Sequence, residues 1–344
     1  MINRVIYRFL LVFVTIAIAG NAYGQEPIFS ISNQSDTYLN PANTFNAFTT
    51  DTYLKLNVQF RDQWNSISSG DNYATSKLQA EYNVYESQND AWNIGVIFLS
   101  DQSSARSLGF TSFQFLGAYT RKLSEGRKNR NLQMISLGGS FGINQLSSDV
   151  GDLFFGRQFN LNTFSIDRDL MSGEEFRNEA FNYNSINLGA RWTYIIDEDV
   201  HYSAGLSVSN VNSPSVSSQN SDFSIDPRII LQAEGSLALS DGFQHRPSLI
   251  FVSQSNFWQF VPAYGVTLDI NSDEDDFSLL GGVGLRMVNS IESIMADAVL
   301  FNVGLRSSKW SFSFNFDMNV SSLRTFTSSN GAIELTLGYN LMSN

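Results

Sequence analysis

The sequence predicts an all-β fold, a transmembrane antiparallel β-barrel of about 14 strands with a short N-terminal periplasmic segment. Three observations indicate this class. Long stretches of the chain alternate between apolar and polar residues. The composition is rich in aromatic residues, although no apolar run after the first 24 residues is long enough for a membrane helix. The connections between the alternating stretches are mostly short and long in turn, as in bacterial outer-membrane barrels.

The clearest alternation lies between residues 310 and 320. Successive side chains of a strand point to opposite faces, so a period of two residues indicates a strand. One face is bulky and apolar along its whole length, which favours contact with lipid. The run also matches the roughly 9–11 residues with which a tilted strand crosses a bilayer. Residues 331–342 repeat the pattern. The apolar positions of the first run are Trp310, Phe312, Phe314, Phe316, Met318 and Val320.

The composition agrees with a membrane that is crossed by strands. The chain contains 28 Phe, 13 Tyr and 5 Trp, yet its mean hydropathy is −0.13. In hydrocarbon every backbone donor and acceptor must be paired within the protein, so only helices and closed barrels span a bilayer. Strands whose alternate residues face a polar lumen combine many outward aromatic residues with a low mean hydropathy.

The first 24 residues have the pattern of a secretory signal peptide. Arg4 and Arg8 form a basic region, residues 9–19 form an apolar core, and Ala22-Tyr23-Gly24 fits the rule for a cleavage site. An uncleaved anchor would need about 20 apolar residues, which this core lacks. We therefore expect export, cleavage after Gly24 and a location in the cell outer membrane. Residues 25–50 are polar and rich in turn formers, and are expected to form a periplasmic, plug-like segment before a barrel of residues 51–344.

Alternating segments recur along the whole barrel region. A typical outward set is Trp92, Ile94, Val96 and Phe98. The predicted strands are residues 51–60, 73–85, 92–100, 110–122, 132–145, 182–196, 200–209, 227–240, 247–254, 257–270, 277–288, 294–306, 309–320 and 331–342.

The connections predict which end of the barrel faces outward. Outer-membrane barrels have short periplasmic turns and longer extracellular loops. If the first strand runs outward, every connection after an even-numbered strand is short, whereas 61–72, 146–181 and 210–226 follow odd-numbered strands. Connections 255–256 and 289–293 depart from this rule because they are short. The long connections are therefore expected outside the cell.

Composition and motifs argue against several function classes. The absence of cysteine excludes disulfides, thiol catalysis and thiolate metal sites. Loss of the signal peptide leaves 19 basic against 33 acidic residues, a net charge of −14, so we expect no nucleic-acid partner. Neither His201 nor His245 lies in a nucleophile motif, and the acidic residues 273–276 lack the ligand spacing of a calcium loop. We predict no catalytic residues, no metal site and no cofactor.

The long connections contain the candidate partner-binding residues. Long loops on a rigid scaffold commonly carry function, and Trp, Phe and Arg are frequent anchors of protein interfaces. The alternative is that these aromatic side chains pack the loops onto one another, as compact loops often do. The candidates are Trp64, Phe154, Phe155, Arg157 and Phe159.

Several phrases of the chain, taken in order, resemble one protein family. They are Q-E-P-I-F-S at residues 25–30, Y-L-N-P-A at 38–42, R-D-Q-W at 61–64, Y-S-A-G-L-S at 202–207, P-S-L at 247–249, D-M-N-V-S-S-L at 317–323 and G-A-I-E at 331–334. The set is similar to the PorP/SprF family of outer-membrane proteins of the type IX secretion system in Bacteroidetes. The chain departs from the family pattern at Asp62, where Asn is usual, and at residues 331–334, where the family's G-x-H-E has lost its His.

The resemblance implies a non-enzymatic barrel, embedded in outer-membrane lipid, that works with the secretion and gliding machinery. It implies as partners a secreted adhesin, received and anchored at the cell surface through its C-terminal domain, and further components of the type IX system. Three alternatives remain open at this stage. The first is a transporter of small hydrophobic molecules similar to the FadL type, which also has an N-P-A phrase near its start. The second alternative is a plain porin, and the third is a barrel enzyme.

Overall fold

A computed structural model describes most of the barrel and parts of the segment that precedes it. The described residues are 27–30, 36–45, 48, 50–64, 73–102, 108–125, 131–148, 156–160, 165–167, 170, 179–196, 200–217, 222–240, 242–271, 276–289, 294–322 and 324–342. The expected signal peptide and its cleavage site lie outside these residues.

Fourteen antiparallel strands form a closed barrel, which confirms the predicted fold class. Every strand pairs with its neighbours in chain order, and the pairing of the first strand with the last closes the ring. Each predicted segment coincides with one barrel strand. The strands are β1 Thr52–Gln63, β2 Tyr73–Glu86, β3 Asp90–Gln102, β4 Leu108–Glu125, β5 Asn131–Ser148, β6 Glu179–Ile196, β7 Val200–Ser209, β8 Arg228–Ser240, β9 Phe243–Gln254, β10 Phe257–Asn271, β11 Asp276–Asn289, β12 Ile294–Ser307, β13 Trp310–Asn319 and β14 Asn330–Met342.

The two ends of the barrel differ in their connections. The end reached by odd-numbered strands carries the longest ones, and we call it the loop end; the opposite end is the turn end. Strand β1 begins and strand β14 ends at the turn end, where the connections between strands are short. In barrels of this kind the short turns face the periplasm, so the loop end corresponds to the cell exterior.

The two faces of the strands are those predicted from the alternation. On β13, Phe312 is 44% exposed on the outer surface, whereas the neighbouring Ser313 and Asn315 are buried in the lumen. On β14, Leu335 is exposed and Glu334 is buried. Because lipid surrounds the outer surface, the large apolar side chains that are exposed there are the ones that the bilayer covers.

Strands β4, β5 and β6 are longer than the bilayer requires. Each has 18 residues, against the roughly 9–11 that a tilted strand needs. The loop end also carries two short hairpins, Phe159–Asn160 with Ser165–Ile166 and Ser215–Ser217 with Asp222–Ser224. A 3-10 turn spans Gly156–Gln158, and one helical turn, α1, spans Arg324–Thr327. Among the described residues, no helix has the length and apolar character of a membrane span.

Candidate functional site: a lumen filled by the N-terminal segment

The lumen is occupied by residues 27–30 and 36–45, which we call the N-terminal segment. Its side chains Phe29, Tyr38 and Leu39 are buried in one apolar cluster with side chains of β3, β4, β8 and β9. In the ring of strands, β3 and β4 lie across the lumen from β8 and β9. The segment therefore bridges opposite walls. The wall residues of this cluster are Ile97, Leu99, Leu116, Ile230 and Val252.

Asn40 and Pro41 pack into a groove made by three glycines of the wall. Gly138, Gly189 and Gly205 lie on the adjacent strands β5, β6 and β7. A Cβ atom at any of the three would lie less than 3.0 Å from an atom of Asn40 or Pro41. The absence of side chains is thus what allows the backbone of the segment to approach the wall so closely.

Hydrogen bonds fix the segment in this groove. Asn40 Nδ2 donates to the backbone oxygen of Ala190 at 3.2 Å, and its Oδ1 accepts from the backbone N–H of Ala42 at 2.9 Å. The hydroxyl of Ser207 donates to the backbone oxygen of Leu39 at 2.5 Å. Buried backbone N–H and C=O groups outside helices and strands need hydrogen-bond partners. The groove supplies such a partner to Leu39, and the side chain of Asn40 supplies one to Ala42.

Two buried carboxylates hold the flanks of the segment. Asp36 forms an ion pair with Lys77 of β2 at 2.6 Å, and both side chains are almost fully buried. Farther along, Glu81 Oε2 accepts from the backbone N–H of Phe45 at 2.9 Å. Asn93 of β3 donates to the backbone oxygen of Phe45, also at 2.9 Å. Residues 36–45 are therefore tied to the wall at both ends.

A third set of contacts joins the segment to the seam where the barrel closes. Arg61 of β1 stands opposite Glu334 of β14 in the strand register and forms an ion pair with it. Arg61 also pairs with Asp317 of β13 at 3.3 Å. Ser30 donates its backbone N–H to Glu334 at 2.7 Å and its hydroxyl to Asp317 at 2.5 Å. We call these four residues the seam cluster.

A second arginine extends the seam cluster along the wall. Arg286 of β11 pairs with Asp317 at 2.9 Å and with Asp297 of β12 at 2.6 Å. Charges removed from water are tolerated only when they are paired and hydrogen-bonded. The position of Ser30 and the pairing of the first and last strands therefore depend on the same group of charges.

The seam cluster and the glycine groove collect most of the phrases on which the family resemblance rests. The phrases at 25–30, 61–64, 317–323 and 331–334 each contribute one residue to the seam cluster. The phrases at 38–42 and 202–207 meet in the groove. The phrases are far apart in the sequence, and their order alone does not predict that they meet. The signal for the seam cluster was present, because Arg61, Asp317 and Glu334 are charges on lumen faces.

Between the N-terminal segment and the turn end lies a cavity of about 510 Å³. Its roof includes Ala42, Thr44 and Phe45, and its wall combines polar and charged side chains with Met134 and Ile195. His201 lines this cavity, whereas the His245 ring contacts the outward-facing Tyr264. In the part of the chain that the structure describes, no three His, Cys, Asp or Glu residues are grouped so as to hold a metal ion.

Trp64 lies at the loop end, where the strand pairing of β1 stops. Its backbone has a left-handed φ of 62°, and its N–H donates to the backbone oxygen of Gly331 at 2.9 Å. Its ring packs edge-on against Tyr73 with the centroids 5.3 Å apart. Together with Phe316 and Ile333, it lines a groove of about 340 Å³ on the outer side of the wall.

The other described candidates, Arg157 and Phe159, lie in the connection between β5 and β6. Phe159 pairs with Ile166 in one of the short hairpins and is 43% exposed. Phe154 and Phe155 lie outside the described residues. The structure thus places the described candidates at the loop end, but strands β2 to β4 separate Trp64 from the other two.

Several solved structures are similar in fold. A mutant of the monoaromatic hydrocarbon channel TodX has a TM-score of 0.50 at 11% identity, with 88% of this chain and 93% of that chain covered. The Ralstonia pickettii toluene transporter TbuX has a TM-score of 0.49 at 10% identity, with 90% and 93% covered. The channel CymD has a TM-score of 0.49 at 11% identity, with 91% and 93% covered. Comparison with curated proteins finds no match.

The closed barrel, its lipid-facing surface and its occupied lumen define an outer-membrane barrel protein. Residues 21–339 match the family described as "Type IX secretion system membrane protein PorP/SprF". The chain belongs to this family, as its phrases predicted.

The glycine groove gives a direct test of how the N-terminal segment is held. We expect Gly138→Ala to loosen the segment, because the added Cβ would collide with the backbone of Pro41, and overpacking costs about 1–3 kcal/mol. The control is Gly139→Ala, where the nearest atom would lie 3.6 Å away, an ordinary contact. Hydrogen–deuterium exchange of residues 36–45 is expected to accelerate only in the Gly138 variant. Equal exchange in both variants would show that the groove does not hold the segment.

Proposed function

We propose that this protein is the outer-membrane barrel that receives a secreted adhesin of the type IX system and anchors it at the cell surface through the adhesin's C-terminal domain. Membership of the PorP/SprF family is the observation that carries the proposal. The adhesin docks on the rim of the loop end, formed by residues 61–72, 146–181 and 210–226.

The loop end has the properties that such a surface requires. Phe159, Ile166 and Leu170 are each more than 40% exposed in the connection between β5 and β6, with the exposed Arg157 beside them. Aromatic and aliphatic side chains flanked by Arg are typical anchors of protein interfaces. These side chains lie beyond the strand pairing of the barrel wall and are not needed to close it. The side chains of the rim can therefore differ, to suit a partner, without affecting closure of the barrel.

The occupied lumen favours reception at the rim over passage through the barrel. The N-terminal segment bridges the lumen and is held by the groove, the ion pair of Asp36 and the seam cluster. A folded domain that arrives at the loop end meets this segment and the loops around it. Anchoring then needs only contacts with the rim.

Transport of small hydrophobic molecules is the second candidate function, and the cavity at the turn end gives it little support. A path for such molecules needs an apolar lining. The lining of this cavity includes the charged side chains of Lys55, Arg191, Glu234, Arg246 and Arg306 beside apolar ones, while the apolar lumen cluster is filled by Phe29, Tyr38 and Leu39.

Replacement of residues 150–178 by a short Gly-Ser linker tests the proposed docking surface. The barrel is expected to reach the outer membrane and to keep its shift in gel mobility on boiling, because surface loops tolerate replacement. The adhesin is expected in the medium instead of on the cell, measured by fractionation and immunoblotting. If the variant assembles and the adhesin stays on the cell at the wild-type level, this connection is not the docking surface.

A point substitution refines the same test. Phe159→Ala in the intact connection is expected to weaken retention of the adhesin. Its control is Leu123→Ala, an apolar side chain that is exposed to a similar extent near the turn end. Loss of retention in both variants would indicate a general defect of the barrel.

A further inference from the structure

The cavity at the turn end contains two arginines that form no ion pair with any described residue. Arg246 of β9 and Arg306 of β12 both line the cavity of about 510 Å³, and both also line an adjoining cavity of about 290 Å³. Lys55 of β1 lines the same two spaces. Three cationic side chains from distant parts of the chain therefore border one continuous part of the lumen.

The carboxylates of this region leave the arginines undercompensated. Glu234 is engaged by Arg191, with which it forms an ion pair, and accepts from the hydroxyl of Ser203 at 2.8 Å. Asp269 accepts from Ser278 at 2.5 Å and from Gln244 at 3.4 Å. Glu234 and Asp269 both attract Arg246, and Asp269 also attracts Arg306. These two carboxylates are therefore shared among Arg191, Arg246 and Arg306.

The side chain of Arg246 also has an unsatisfied donor. Nε of Arg246 is buried and finds no acceptor among the described residues. Arg246 and Arg306 lie close enough for their charges to repel each other. Removing a guanidinium from water without an acceptor is costly, and placing a second cation beside it adds to that cost. A negatively charged ligand between them would relieve both effects.

The remaining lining is rich in donors. Hydroxyl groups of Thr52, Thr193, Ser203 and Ser236 surround the cavity, with His201 among them. Oxygen atoms of carboxylates and phosphates are the acceptors that match such a lining, and Arg binds both in a forked geometry. The volume falls within the range of roughly 300–1,000 Å³ that is typical of small-molecule pockets.

We propose that this cavity, which we call the turn-end vestibule, binds a small anion that carries two or more carboxylate or phosphate groups. Arg246 and Arg306 hold the anionic groups, and Lys55 borders the same space. The ligand enters from the turn end, since the N-terminal segment forms the roof of the vestibule. This inference does not rest on the adhesin proposal, because the vestibule and the docking rim lie at opposite ends of the barrel.

The test is calorimetric titration of the full-length protein, purified in mild detergent, with citrate and separately with pyrophosphate at constant ionic strength. Saturable binding of either anion is expected. The variant Arg246→Gln/Arg306→Gln is expected to bind at least about tenfold more weakly, as follows from the loss of one charged hydrogen bond. Its gel mobility before and after boiling checks that the barrel is folded.

The matched control is Arg121→Gln. Arg121 is near the same end of the barrel, but its side chain is 57% exposed and pairs with Asp90 on the outer surface. This variant is expected to bind as the wild type does. Binding of citrate alone assigns a carboxylate ligand, and binding of pyrophosphate alone assigns a phosphate ligand. The proposal is overturned if neither anion binds, or if the double variant binds as tightly as the wild type.

Discussion

Replacing Arg61 by methionine is expected to lower the free energy of unfolding by about 3–5 kcal/mol, because it leaves a buried carboxylate without its partner. The change removes the cation that pairs with Glu334 and Asp317. Asp317 retains Arg286, but Glu334 is left fully buried with only the N–H of Ser30 as a described donor. The unfolding midpoint in guanidinium, followed by tryptophan fluorescence in lipid vesicles, measures the effect.

Two further variants separate the buried charge from other consequences of this substitution. Arg121→Met removes an exposed ion pair and is expected to leave the stability close to that of the wild type. Adding Glu334→Gln to Arg61→Met is expected to restore part of the loss, because it neutralises the carboxylate that has lost its partner. A double variant that is even less stable than Arg61→Met would show that the uncompensated charge is not the cause.

Sequence alone was sufficient for the barrel, and the physical reason is the period of two. A shift of one residue in the register of a strand would turn its apolar side chains to the lumen and its polar ones to the lipid. Each strand of a wall between lipid and a polar lumen must therefore carry its own alternation of apolar and polar residues. Phe312 and Ser313 can therefore be assigned to their faces without knowledge of any neighbouring strand. The connections add the order of the strands, since consecutive antiparallel strands pair.

The contacts inside the barrel could not be predicted in the same way. Whether Arg61 meets Glu334 depends on the register between the first and the last strand, which follows from all the pairings around the ring. The position of Asn40 depends on glycines from three strands that lie far from it in the chain. A lumen charge or a wall glycine is visible in the sequence, but its partner is set by the closed ring. The positions of the loop-end candidates are still harder to predict, because loops have no regular alternation of apolar and polar residues.

Replacing Phe301 by arginine is expected to lower the free energy of unfolding by about 2–4 kcal/mol, the cost of a lipid-facing Arg near the bilayer midplane. Phe301 lies in the middle of β12 and is 43% exposed on the outer surface. Its register partners are Val283 and Phe316, which lie on the same face. An arginine there projects from the wall into hydrocarbon, far from both interfaces of the membrane. Refolding yield into vesicles and the unfolding midpoint report the loss.

The neighbouring Asn302 provides the matched control, because its side chain points to the opposite face of the same strand. It donates to Asn315 at 2.5 Å and lines the lumen cavity of about 290 Å³. Asn302→Arg therefore places the new cation in a space that already holds polar side chains, at the expense of one hydrogen bond worth about 0.5–1.5 kcal/mol. The two variants add the same side chain one residue apart, so only the face differs. If both lose the same stability, the outer surface at Phe301 is not in contact with lipid.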